Sequence, residues 1–365
     1  MKRRHLIAGA AAAAGFASGA SLLPAPAIAE GQRELKLVTT WPRNFPGLGT
    51  GAQRFANAVT RATDGRLTVK VHAAGDPIPA FEAFDAVARG DADMYHGFEY
   101  FWQQRSRAFA FFASVPFGLT ASEFAAWIHH GGGQDLWDEL SGRFGIKPLA
   151  CGNTGGQMGG WYTREVFTVE DFQGLKMRMP GLGGAVMRKI GAEALPIPGG
   201  RIVEALRNGE IDATEWVGPW NDLALGLNEV ARFYYFPGFH EPGTSIALGI
   251  NRALWDGLQE SERTVIASAA AGENAFSLSE FDAENAKALA RIRGGLGVSM
   301  RRYTDSILTA VGNAAGEVVA EITDSGDPLA RRVSDGFRDF RRKALAWSSV
   351  SEQAFRNARL LNFKY

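Results

Sequence analysis

The chain has 365 residues, with 39 lysines and arginines against 39 aspartates and glutamates and a single cysteine. That length suits two lobes of ordinary domain size, each with its own core, and the formal net charge of zero argues against nucleic acid as the main partner. The lone Cys151 excludes an internal disulfide and is expected as a small core residue.

Residues 1–29 read as an export signal that is not part of the fold. Arg3-Arg4 stand just before an uncharged stretch from Ala8 to Leu23, and Ala27 and Ala29 supply a small-residue cleavage pair. The twin arginine with a weakly hydrophobic Ala/Gly core favours the Tat route, and the mature chain is expected to begin at Glu30. An uncleaved anchor is the alternative, against which Ala/Gly segments partition poorly into lipid. No later segment reaches the ~20 uninterrupted apolar residues of a membrane span, so a soluble periplasmic protein is expected.

Leu35–Thr40 is predicted as a strand, Thr50–Thr63 as a helix closed by Asp64-Gly65, and Leu67–His72 as an alternating strand. Strand, helix, strand implies a right-handed crossover and a parallel sheet. A unit of helix, glycine, acid and short strand then occurs twice. It runs from Phe81 through Gly90 to Gly97, and from Arg201 through Gly209 to Trp216. Two such units about 120 residues apart suggest two related lobes rather than a solenoid. Ligands of open α/β sheets bind beyond the carboxyl ends of strands, which points to His96–Tyr100 and Glu215–Trp220. Between the units, Glu170–Gly174 reads as a helix stop, Leu175–Pro180 as a strand and Gly183–Ile190 as a helix. Helices follow over 261–274, 276–293, 305–322 and 328–347, and the apolar tail of Phe355, Leu360 and Leu361 suits a neighbour or a partner chain. No low-complexity linker divides the chain, so several crossings are expected to join the lobes.

Enzyme signatures are scarce: there is no G-x-S-x-G, H-E-x-x-H, paired C-x-x-C or Walker A. Gly152–Gly156 is glycine-rich but lacks phosphate-loop spacing, and His129-His130 has no third ligand nearby and reads as a solvated helix end. Strand alternation puts Lys176 and Arg178 on one face and Met177 and Met179 on the other. The Arg178 guanidinium offers a planar fork that matches a carboxylate, or else is an exposed strand charge. Glu215-Trp216 falls where a strand should end at a cleft. Its acid is suited to a cation and its indole to an apolar ligand face; the alternative is a surface ion pair beside a core tryptophan. Gln157 offers an amide acceptor and donor after the glycine-rich loop, and Glu241 is an acid in a turn after an aromatic run.

Together, Gly152–Trp161, Gly174–Arg178, Ile211–Pro219 and Tyr234–Gly238 resemble the extracytoplasmic solute receptors of TRAP transporters, the DctP-like family, and most nearly its 2-oxo-acid-binding branch. The resemblance implies an α/β fold of two lobes, the periplasmic-binding-protein fold with extended C-terminal helices. It implies a ligand carboxylate held by Arg178, and a metal ion held by Gln157, Glu215, the Trp216 backbone carbonyl and Glu241. Gln157, Trp216 and Tyr100 are implied to touch the ligand, Tyr100 within a segment one residue shorter than the family's. The turn Pro242-Gly243-Thr244 departs from a glycine-rich family pattern. Two acids and a ligand carboxylate against one arginine leave two negative charges, which are costly to bury without a cation. All-oxygen ligation suits a hard cation: the resemblance points to sodium and neutrality alone to calcium.

The expected function is therefore a non-catalytic receptor for a small 2-oxo monocarboxylate such as pyruvate, serving TRAP membrane subunits and forming a homodimer. Lobe I is expected over 30–153 plus about 243–295 and lobe II over 154–242 plus about 296–345. The tail, 346–365, is a possible dimer contact. A 2-hydroxy-acid (lactate) receptor with calcium is an alternative within the class. A Tat-exported oxidoreductase is a rival, opposed by the single cysteine and the missing dinucleotide fingerprint, and an exported scaffold without a small ligand is another.

Overall fold

The computed structural model describes residues 32–364. The export signal over 1–29 and the start at Glu30 lie outside the described residues. In chain order the first part forms β1 (Arg33–Thr39), α1 (Gly49–Ala62), β2 (Leu67–His72), α2 (Ala83–Arg89), β3 (Met94–Gly97), α3 (Ala121–His130), α4 (Gly133–Gly142) and β4 (Ile146–Asn153). The middle forms β5 (Gly160–Tyr162), β6 (Lys176–Arg178), α5 (Gly181–Lys189), β7 (Glu193–Leu195), α6 (Ile202–Arg207), β8 (Ala213–Thr214), α7 (Pro219–Leu225) and β9 (Phe233–Phe236). The last part forms β10 (Ser245–Asn251), α8 (Arg252–Gly257), α9 (Glu260–Arg293), β11 (Ser299–Arg302), α10 (Asp305–Thr323), α11 (Pro328–Val350) and α12 (Glu352–Ala358).

Two sheets result, ordered β2-β1-β3-β10-β4 and β11-β9-β5-β8-β6-β7. The expected parallel start is present, since β1 pairs parallel to both β2 and β3. In α1, Ala52, Phe55, Ala56 and Val59 recur at helical spacing and are buried. They meet Leu35, Leu37 and Leu67 of the sheet and Ile266 of α9 in one apolar layer, each large side chain contributing roughly 1.5–3 kcal/mol. The chain passes between the sheets after β4, after β9 and after β10, and α9, within the last of these crossings, lies along β4 and also touches α1 and α7. These crossings bring the ends of both sheets together.

Several expectations need correction. Glu170–Phe172 is a single 3-10 turn and not a helix stop, because the Asp171 carboxylate takes the Phe167 and Thr168 N–H groups at 2.7 and 2.9 Å and closes a local turn. The two helices expected over 261–274 and 276–293 are one, α9, since nothing at Ala275 breaks the ladder. Helix α5 starts at Gly181, directly after Pro180. Strand β10 enters the first sheet antiparallel to both β3 and β4. Finally, α10 packs on α5, whereas α11 lies on α3 and α4, with Phe337 against Phe111 and Trp127.

Candidate functional site

Parallel pairing of β6 and β8 sets Arg178 opposite Thr214, so the next residue, Glu215, emerges beside the arginine. The Glu215 N–H donates to the Arg178 carbonyl at 3.1 Å and locks that register. Arg178 is 2 % exposed, which rules out the exposed strand charge. Lys176, at the other end of the strand, is exposed. The Arg178 Nη1 donates to the Glu215 carbonyl at 2.7 Å and also to its carboxylate, and Nε donates to the Ile197 carbonyl at 3.2 Å. The guanidinium lies 5.3 Å from the Trp216 ring centroid. The same indole packs in a T-shaped arrangement with Phe45, which comes from the chain just before α1.

The crossing after β9 supplies the second half. His240 Nε2 sits 3.0 Å from the second carboxylate oxygen of Glu215. Glu241 follows, and the Thr244 hydroxyl donates to it at 2.6 Å. The crossing after β4 brings Gln157, whose N–H bonds the Glu241 carbonyl at 3.1 Å. Its amide nitrogen donates to the hydroxyls of Thr154 and Thr244 at 3.0 and 3.2 Å. Its amide oxygen is buried and has no partner among the described residues. Ligand atoms of Glu215, His240 and Glu241 lie within 4.8 Å of one another. Tyr100 closes the group: its hydroxyl faces Glu241 and its ring rests on Gly181.

The charges are crowded. Burial and then the charge of Glu215 push Glu241 up to about 7, against the pull of His240, Thr244 and Arg178. Burial lowers His240, but the hydrogen bond and charge of Glu215 outweigh it and the net shift is upward. Burial, then Glu241 and Glu215, raise the Tyr100 phenol. Desolvated acids with an orphaned amide oxygen are what a hard cation would satisfy. The Trp216 carbonyl also accepts no hydrogen bond among the described residues. The donor set thus fits a cation held by Gln157, Glu215, the Trp216 carbonyl and Glu241. Those donors would all be oxygens, and the His240 Nε2 at 3.0 Å from Glu215 would orient that carboxylate or join the ligands itself.

The structure brings Gln157, Arg178, Glu215, Trp216, Glu241 and Tyr100 into one buried cluster. Sequence reasoning passed over His240, Thr154 and Thr244. For His240 a signal existed, a histidine directly before an acid in Phe239-His240-Glu241. The Gly152–Gly156 stretch is no anion cradle, since the N–H groups of Asn153, Thr154 and Gly155 donate to Ser277, Thr244 and the Asn153 side chain. His129 and His130 are exposed at the end of α3, and Cys151 is buried and free.

Two sheets joined by crossings, with the polar cluster buried at those crossings, make the architecture of a two-lobe periplasmic solute receptor. The family model described as DctP, bacterial extracellular solute-binding protein, family 7, matches residues 37–325, and the chain belongs to this family of TRAP solute receptors, which are not enzymes. It is 37% identical over 322 residues, 88% of either chain, to a monocarboxylate 2-oxoacid-binding periplasmic protein of Nostoc. A TRAP solute-binding protein of Bordetella bronchiseptica superposes with a TM-score of 0.88 at 32% identity, over 90% of this chain and 97% of that one. It is a mixed-occupancy dimer with calcium and picolinate in one site. One from Pseudoalteromonas atlantica, with bound sodium and pyruvate, superposes with a TM-score of 0.87 at 33% identity, over 91% and 100%.

Proposed function

We propose that this receptor binds a small 2-oxo monocarboxylate, pyruvate or a near relative, through Arg178 and a bound cation, and delivers it to TRAP membrane subunits. The observation that carries the reading is the buried meeting of one guanidinium with two carboxylates and an orphaned amide oxygen. A ligand carboxylate would take the Arg178 fork, and the cation would supply the charge that couples this carboxylate to Glu215 and Glu241. Gln157, Trp216 and Tyr100 would bound the ligand. The two liganded relatives support a chelating acid: pyruvate carries a 2-oxo oxygen next to its carboxylate, and picolinate a ring nitrogen in the same relation. Sodium is favoured on the family resemblance, while pyruvate-bound relatives carry sodium in one case and calcium in another, and calcium would cancel one more charge.

The lobes are taken to follow the sheets, about 30–153 with 243–295 and about 154–242 with 296–345. Closure would join Phe45 and Tyr100 on one side to Trp216 and Arg178 on the other. Export by the Tat route to the periplasm, and a homodimer through the apolar tail, complete the reading.

Calorimetry of Arg178→Ala with pyruvate and sodium tests it. Loss of a charge-assisted fork predicts a drop of roughly 100-fold or more. A thermal melt confirms that the variant folds, because the change also leaves Glu215 buried without its cation. Near-native affinity in a folded variant sinks the assignment.

A further inference from the structure

We propose that Thr244 is a positioning residue for the cation site, fixing with one hydroxyl both the Glu241 carboxylate and the direction of the Gln157 amide. The inference rests on the cation reading above and adds a residue in the turn where this chain departs from the glycine-rich pattern. Thr244 is fully buried. A hydroxyl has one proton, and this one goes to Glu241 at 2.6 Å. With that proton committed, only the hydroxyl's lone pairs remain for Gln157, 3.2 Å away. The second neighbour of that amide, Thr154, is committed in the same way, for its proton goes to the Gly155 carbonyl at 3.1 Å. Both threonines can therefore only accept from Gln157. The amide must present its nitrogen to them, and its oxygen is left facing the buried site without a protein partner. A chain of hydrogen-bond polarity thus aims a neutral oxygen ligand, while the far end of the same chain pins the acidic one.

A glycine at 244 would keep the turn and lose both functions. The backbone link between the two threonines, Thr154 N–H to Thr244 carbonyl at 3.0 Å, is independent of the side chain and would survive a side-chain substitution.

The test is a cation titration of ligand-free protein, by calorimetry with calcium chloride and by sodium-NMR linewidth with sodium chloride. It is run on wild type, Thr244→Val, Thr244→Ala and Thr244→Ser. Valine keeps the shape and removes the hydroxyl; alanine carries the test if valine is not accommodated. We expect the hydroxyl-free variants to lose about 10- to 100-fold in cation affinity, as for other residues behind a metal ligand, and serine to restore most of it. Pyruvate affinity should fall with them at low cation and return to within about threefold at saturating cation. Unchanged cation affinity in folded Thr244→Val, or a serine variant as weak as valine, overturns the proposal. A pyruvate deficit that saturating cation does not repair also overturns it, since a merely structural role would act that way. Wild type that binds neither cation sinks the underlying site reading instead.

Discussion

Asp222 and Trp216 share one peptide group between them: the Asp222 carboxylate accepts the Val217 N–H at 3.0 Å, and the opposite end of that peptide is the Trp216 carbonyl. In a trans peptide the N–H and C=O point in opposite directions. Anchoring the N–H on α7 therefore turns the carbonyl away from that helix and leaves it without a hydrogen bond among the described residues. The carboxylate also takes Trp161 Nε1 at 2.9 Å and the Tyr234 hydroxyl at 2.7 Å, so it is itself held fast. Asp222→Asn puts an N–H₂ where one of these donors points. Loss of a buried bond costs about 1–3 kcal/mol, and cation affinity should fall about tenfold. Thermal melts and calcium titration check both; an asparagine variant equal to wild type in both removes Asp222 from the site.

Arg178, Glu215 and Trp216 were readable because β6 and β8 end there, and strand ends are where α/β sheets bind ligands. Gln157 and Glu241 stood out only by residue type and loop position, and their metal role entered through the family resemblance, since neither lies at a strand end that periodicity marks. Thr154, Thr244 and Asp222 act through hydrogen bonds between segments brought together by chain crossings, and no local pattern announces such pairings. The same holds for β10, whose partners β3 and β4 precede it by about a hundred residues or more. The missed unity of α9 has another origin. Its buried residues, Ile266, Ala270, Glu273, Ser277 and Phe281, include polar members that pair inward, so the stripe does not look continuous as apolar sequence.

Phe45 stands edge-on to the Trp216 indole, ring centroids 5.8 Å apart and 89° between planes. If this contact forms as the lobes close, removing it should shorten the life of the closed complex and leave encounter unchanged. Phe45→Ala gives up an aromatic pair worth about 0.5–1.5 kcal/mol plus the buried ring area. A rise in koff of roughly tenfold with kon changed less than threefold is expected. Stopped-flow tryptophan fluorescence with pyruvate measures both rates, and an equal fall in kon with constant koff would refute a closure role.

The C-terminal tail leaves large apolar groups in water: Trp347 is 70% exposed, Phe355 65% and Leu360 82%. A groove between α3, α11 and α12, lined by Ala126, Phe340, Ala344, Trp347 and Arg356, runs beside them. Contiguous apolar surface of this kind marks an interaction site more often than chance exposure. A chain ending at Ser351 should lose the dimer and keep pyruvate affinity within about twofold, since the site's residues all precede it. Native mass spectrometry reads the subunit number; a full-length chain that is monomeric at micromolar concentration refutes the pairing.

Glu99 offers a pH-dependent stability that is independent of the ligand. One of its oxygens accepts Tyr95 Oη–H at 2.9 Å and Trp137 Nε1–H at 3.0 Å, while the other is buried without a partner among the described residues. Burial pushes its carboxyl from 4.5 up to about 7, and the two hydrogen bonds only partly oppose this. The folded state therefore holds the proton more tightly than the unfolded one. Its contribution to stability is fully present below pH ~4.5 and is lost as pH rises toward about 7, to a total on the order of 3 kcal/mol. Glu99→Gln keeps an acceptor for Tyr95 and Trp137 and cannot ionise. Relative to wild type, the variant should gain stability as pH goes from 5 to 8, by a few degrees in Tm, with most of the change between pH 5 and 7. The difference between the two melting curves isolates this carboxyl from the other buried acids. A difference that stays flat with pH would mean that Glu99 is already charged in the fold, with a cation or water on its second oxygen.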